Sequence, residues 1–213
     1  MSDNRVSPEL QKLFRYFNDY SSATLLLRVA AHDYAAARCL LFNQMSEGLV
    51  MGAQAIEKYF KAYLILADTQ HVVRKFSHSL PKLLSEASEI FPHLALQGFA
   101  PLVEKFWRHY QARYPDNPDA SLNKTTADVY ELDELIIFLN ENMPCPHNVK
   151  YRAGIYPLIT FSLGYKATMT TWEFWIKKDN RALIPLLPRI NSEHQAVIES
   201  LYPSQSGAPS THS

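Results

Sequence analysis

Leu49-Val50-Met51-Gly52-Ala53-Gln54-Ala55-Ile56-Glu57-Lys58-Tyr59-Phe60-Lys61-Ala62-Tyr63-Leu64-Ile65-Leu66-Ala67 is the stretch whose periodicity decides the fold class. Leu49, Ala53, Ile56, Phe60, Tyr63 and Ala67 recur at spacings of four and three, which a helix turns onto one face. Gln54, Glu57, Lys58 and Lys61 fall on the opposite face, and Glu57 and Lys61 have the spacing of a favourable i,i+4 ion pair. The pattern predicts a helix with one packed and one solvated side.

Upstream, Ser46-Glu47-Gly48 weakens the helix, because an interior glycine costs about 1 kcal/mol. Ser7-Pro8-Glu9 combines a capping residue, a first-turn proline and an acid near the positive helix end. A helix is expected from there to about Tyr20, with a break or second cap at Ser21-Ser22. A second is expected from Ala23 to about Gln44, centred on Ala35-Ala36-Ala37.

Downstream, Ser79 and Pro81 open a helix with the stripe Leu80, Leu83, Leu84, Ala87 and Ile90, and Phe91-Pro92 stops it. Pro101 starts another, with Leu102, Val103, Phe106 and Tyr110 facing inward. Two prolines among turn formers make Tyr114 to Asp119 a loop. Thr126 caps a helix carrying Val129, Leu132, Ile136 and Leu139, which ends within Asn140 to Pro146. Beyond Asn148 the signals are mixed. Tyr151 to Leu163 and Thr171 to Lys178 fit strand or helix. Pro185 and Pro188 break an apolar run, and Ser192-Glu193-His194-Gln195 reads as the capping box of a last helix through about Leu201. Pro203 to Ser213 is small and polar, the composition of a disordered tail.

Bulk composition narrows the function classes. The 213 residues, 47% of them hydrophobic, suffice for one full core plus an extension. Lys plus Arg and Asp plus Glu each total 21, so the net charge is zero and long-range steering toward nucleic acid is weak. Cys39 and Cys145 are too few for a disulfide framework, and no signal segment is evident, so a cytoplasmic setting is expected. No stretch reaches the roughly 18 uncharged apolar residues of a membrane helix. Cys145-Pro146-His147 is a single pair where structural zinc wants four ligands, and six glycines supply no phosphate loop. No metal or cofactor is expected.

Three runs carry a family resemblance: Asp33-Tyr34-Ala35-Ala36-Ala37-Arg38, then Gln54-Ala55-Ile56-Glu57-Lys58-Tyr59-Phe60-Lys61-Ala62, then His78-Ser79-Leu80 leading to Leu83-Leu84. Arg113-Tyr114-Pro115-Asp116 is a fourth. In this order they resemble the HEPN family (the nucleotide-binding helical domain of higher eukaryotes and prokaryotes) over residues of about 20–142. The resemblance implies an all-α bundle of four to five core helices, often a homodimer, linked to nucleotide or RNA chemistry. Many members are metal-independent ribonucleases that set an arginine and a nearby histidine of the last core helix across a dimer interface. Here Arg113 is followed by no histidine until His147, and Arg28–His32 and Arg74–His78 lie in other elements.

Lys105, His109 and Arg113 recur every fourth residue, with Arg108 adjacent. That spacing makes a basic stripe able to hold phosphates through charge-assisted hydrogen bonds; its bland counterpart is a solvated helix face. His109 titrates near neutrality and, with Arg113, is the candidate catalytic pair. Lys105, Arg108, Arg113, His78, Arg74 and Lys75 are the candidate nucleotide or RNA ligands. His78 also fits a structural role, bonding to a neighbouring helix. Arg38 is expected to bury its stem against the bundle. Trp172, Phe174 and Trp175 suit a core or an interface better than a base-stacking platform.

The expected organisation is a HEPN-like bundle over 1–147, an extension over 148–202 packing on it, and a tail over 203–213. Three functions follow. The first is a non-catalytic module binding nucleotide, RNA or a protein partner, in a toxin–antitoxin or defence pair. The second is a ribonuclease pairing Arg113 with His109 or His78 across a dimer. The third is a structural assembly protein whose aromatic C-terminal region docks on a partner.

Overall fold

A computed structural model describes residues 8–67, 78–112, 126–145, 153–165 and 171–201. Among these, eight α-helices follow one another: α1 Pro8–Phe42, α2 Glu47–Leu66, α3 Leu80–Ile90, α4 Ala100–Ala112, α5 Thr126–Glu141, α6 Tyr156–Tyr165, α7 Thr171–Lys177 and α8 Leu187–Leu201. Short 3-10 turns lie at Pro92–Leu94, Leu96–Phe99 and Ile184–Leu186. No strand occurs among the described residues, so the chain is an all-α bundle.

The helix over residues 49–67 is present as α2 and is the central element, in contact with α1, α3, α4 and α5. Leu49, Ala53, Ile56, Phe60 and Tyr63 are buried as the spacing required. Burial continues around the helix through Ala55, Tyr59, Ala62, Leu64 and Ile65. The expected solvated side is therefore narrower than its charges suggest. Glu57 itself is only 7% exposed, held by Lys61.

Small residues set how closely the helices approach. A Cβ on Gly48 would stand 2.6 Å from the Leu41 side chain and 2.9 Å from the Ala37 carbonyl oxygen. A Cβ on Gly52 would collide with the Phe106 ring. Gly48 thus lets α2 lie against α1, and Gly52 lets α4 press a buried phenylalanine onto α2. The buried alanines Ala30, Ala31, Ala35 and Ala37 continue the α1 side of this seam.

Two expectations need correction, and one open choice is decided. α1 runs unbroken for 35 residues through Ser21-Ser22. After Pro8 it holds no proline or glycine, both serines are exposed, and Ala23, Leu27 and Ala30 lie in the core directly after them. Packing overrides a weak local break. Between strand and helix, left open after residue 150, the described residues choose helix: Tyr156–Tyr165 is α6 and Thr171–Lys177 is α7, with Pro157 in the first turn of α6, where its missing N–H costs nothing. The last helix starts at Leu187 rather than Ser192, so the serine lies inside it, and Pro188 serves as a first-turn residue.

The C-terminal helices belong to the same core. Ile155, Tyr156, Ile159, Ile176, Leu183 and Ile190 join the buried cluster of α1 to α5. α5 hands over to this region through Asn140. Its Oδ1 accepts the Tyr59 hydroxyl and the Ile155 N–H, each at 3.2 Å. Gly154 turns the chain there with φ of +68°, and any Cβ would strike the Asn140 side chain. No helix among the described residues is long and apolar enough to cross a membrane.

Candidate functional site

The residues of the expected basic stripe separate once folded. α4 buries Leu102, Val103, Phe106 and Tyr110, and the same face carries His109 inward, 8% exposed. Burial lowers its pKa below the ordinary 6.5; nearby Asp128 opposes this and Lys105 adds to it. The ring is neutral at physiological pH, and its Nε2 has no hydrogen-bond partner among the described residues. Lys105 reaches across to Asp128, a fully buried carboxylate in the first turn of α5. That position favours an anion, because the helix N-terminus carries partial positive charge. Arg108 points the other way, exposed and paired at 3.0 Å with Glu104 one turn back. Arg113 lies outside the described residues, as do Arg74, Lys75 and the Cys145-Pro146-His147 run beyond Cys145.

Lys105 also forms one wall of a cleft of about 420 Å³ between α4 and α5. Gly98, Phe99, Pro101 and Leu102 supply an apolar floor, and Glu131 and Glu134 stand on the far side. Since Asp128 already engages Lys105, the cleft presents two exposed carboxylates above apolar surface. Such a lining accepts cationic and apolar side chains and repels phosphates.

His78 stands apart, before α3. Its side chain is 63% exposed, with Nδ1 3.1 Å from Glu57 Oε1. Glu57 Oε1 also accepts Lys61 Nζ at 2.5 Å. His78 therefore meets a neighbouring helix, and the carboxylate beside it makes this spot a poor anion seat.

The centre of the molecule holds a polar network that the spacing of α1 did not reveal. Arg38 is fully buried, guanidinium included, and forms an ion pair with Asp133 of α5. Its Nε donates to the Trp175 carbonyl at 2.7 Å and a terminal nitrogen donates to the Lys178 carbonyl. One orphan carbonyl of the last turn of α7, that of Trp175, and the carbonyl just after the helix are so satisfied. Tyr34 donates its hydroxyl to Asp133 at 2.7 Å and accepts the Asn180 amide at 2.8 Å. Burial, helped by Asp133, pushes the Tyr34 hydroxyl well up, so it remains a donor. Burial pulls the Arg38 pKa down, but Tyr34 and Asp133 outweigh it, and the group stays charged. Arg38 was expected to bury only its stem; the charged end follows because Asp133 and two carbonyls await it.

Among the described residues no cluster of histidine, cysteine or carboxylate side chains could hold a metal ion, and neither Cys39 nor Cys145 is in a disulfide. Comparison of the chain with protein-family models, curated proteins and solved structures finds no match.

Proposed function

We propose that this chain is a non-catalytic helical binding module, HEPN-like in architecture, whose partner is a protein rather than RNA. The observation that carries this reading is the Lys105–Asp128 pair. It removes the first cation of the expected phosphate-binding stripe and leaves the adjacent cleft with the carboxylates Glu131 and Glu134. Pairing extends to other cations: Lys58 with Asp33, Lys61 with Glu57 and Arg189 with Glu141. Polyanion affinity rests on cations that can replace released counterions, and cations already neutralised within the fold contribute little to it. A chain of zero net charge with an acid-rimmed cleft suits a basic partner, as in a two-component toxin–antitoxin or defence pair. The homodimer implied by the family resemblance belongs to the same proposal, and light scattering measures it.

The test is RNA cleavage by the full chain in EDTA, beside His109→Ala and Arg113→Ala, with fluorescent single-stranded RNA titrated in parallel. No cleavage and no saturable binding is the expected outcome. Cleavage that survives EDTA and disappears in either folded variant would overturn the reading and make the chain a ribonuclease. Nucleotide that co-purifies, seen as raised absorbance at 260 nm, would move the ligand class from protein to nucleotide.

A further inference from the structure

Where the end of α1 meets α7, three aromatic rings lie close to one ammonium group. Lys178 Nζ lies 5.0 Å from the ring centre of Phe42, 5.0 Å from Trp175 and 5.8 Å from Phe174. Phe42 and Trp175 stack at 6.4 Å, and Phe174 stands edge-on to Trp175 at 5.1 Å. A cation over such faces is held by the ring quadrupoles, and aromatic cages of this kind recognise methylated ammonium groups.

Two features separate this arrangement from ordinary surface packing. Lys58, Lys61, Lys105 and Lys177 each contact a carboxylate, whereas among the described residues no carboxylate pairs with Lys178. The rings themselves hold its charge. Second, the backbone beneath the cage is fixed independently of the Lys178 side chain, because Arg38 takes the Trp175 and Lys178 carbonyls. The lysine stem can swing into water while the rings keep their places. The cage also opens outward, since Phe174 is 45% exposed.

We propose that Phe42, Phe174 and Trp175 form a binding site for a methylated ammonium group, with Lys178 as its internal occupant. The ligand displaces the Lys178 ammonium, and its methyl groups contact the three faces. A small quaternary amine and a trimethyllysine side chain of a partner protein share this chemistry. The site is independent of the acid-rimmed cleft and of what that cleft takes.

The experiment titrates choline, a trimethyllysine peptide and the neutral carbon isostere of choline into the full chain, with tryptophan fluorescence as the readout. The variants are Lys178→Ala, which vacates the cage, and Phe174→Leu in that background. Lys178→Ala is expected to bind the cations about tenfold tighter than the unaltered chain, and the neutral isostere about tenfold weaker than choline. Adding Phe174→Leu should remove most of that gain. A preference for the peptide over choline assigns the site to a partner protein, and the reverse assigns it to a small amine. Equal binding of choline and its isostere, or no binding to folded Lys178→Ala, overturns the proposal. Folding is checked by circular dichroism, and Lys178→Gln replaces the alanine variant if that one does not fold.

Discussion

Tyr34 and Asn180 lie 146 positions apart, yet the Asn180 amide donates to the Tyr34 hydroxyl at 2.8 Å. The same hydroxyl donates to Asp133 at 2.7 Å. One phenol thus joins α1, α5 and the turn after α7.

Removing that oxygen leaves a buried carboxylate oxygen short of one donor and the Asn180 amide short of one acceptor. Tyr34→Phe is expected to cost about 1–3 kcal/mol, the usual consequence of an unsatisfied buried partner. Urea denaturation measures it. A loss below about 0.5 kcal/mol would mean that the network relaxes around the missing group.

Arg38 and Asp133 form the charged part of the same network, both almost fully buried. Arg38→Met leaves the carboxylate uncompensated and should cost about 3–5 kcal/mol, while Arg38→Met with Asp133→Leu should recover a large part of it. A double-mutant cycle checks this. Additive losses from the two substitutions would show that the pair does not act as a unit.

Gly52→Ala forces a methyl group against the buried Phe106 ring. Overpacking of this kind costs about 1–3 kcal/mol. Adding Phe106→Leu should relieve part of the clash, so that this second substitution is less harmful in the Gly52→Ala background than in the unaltered chain. Thermal unfolding of the two single variants and the double variant provides the comparison.

His109 gives stability a pH dependence of defined sign. Burial lowers its folded pKa below the unfolded value near 6.5. The unfolded chain then takes up the proton more readily. Stability from this group is full above the unfolded pKa and declines as pH falls through it, levelling off below the folded pKa. His109→Gln should therefore flatten the stability profile between about pH 8 and about pH 5. His194 is shifted the same way by burial, so the profile flattens without becoming level. An unchanged slope would place the proton uptake elsewhere.

Local pattern carried much of the fold because helices announce themselves within a few turns. The apolar stripe of α2 and those of α3, α4 and α5 follow spacings of three and four, and their residues are buried except for Ala67 and Ile90, which are half-buried at the helix ends. Ser21-Ser22 misled because two exposed serines cost too little to end a helix whose next turns sit in the core. The segments after residue 150 were ambiguous because their apolar and aromatic residues crowd together, which leaves no clear period to read. Glu57 looked solvated by residue type, yet its partners Lys61 and His78 let it be buried. The site was less legible still. Arg38 is visibly a cation amid alanines, but nothing near it in sequence names Asp133, Trp175 or Lys178. His109 looked like part of a basic stripe, and only the packing of α4 turns it inward, next to Asp128.

The reach of Arg38 also has a bearing on how the chain is made. Synthesis delivers α1 and α2 long before α5 and α7. The Arg38 guanidinium then waits for Asp133 and, later again, for the Trp175 and Lys178 carbonyls. A nascent chain stopped before α7 holds a cation in its half-built interior with two of its acceptors missing. An interrupted product thus lacks contacts at its centre and not only at its end.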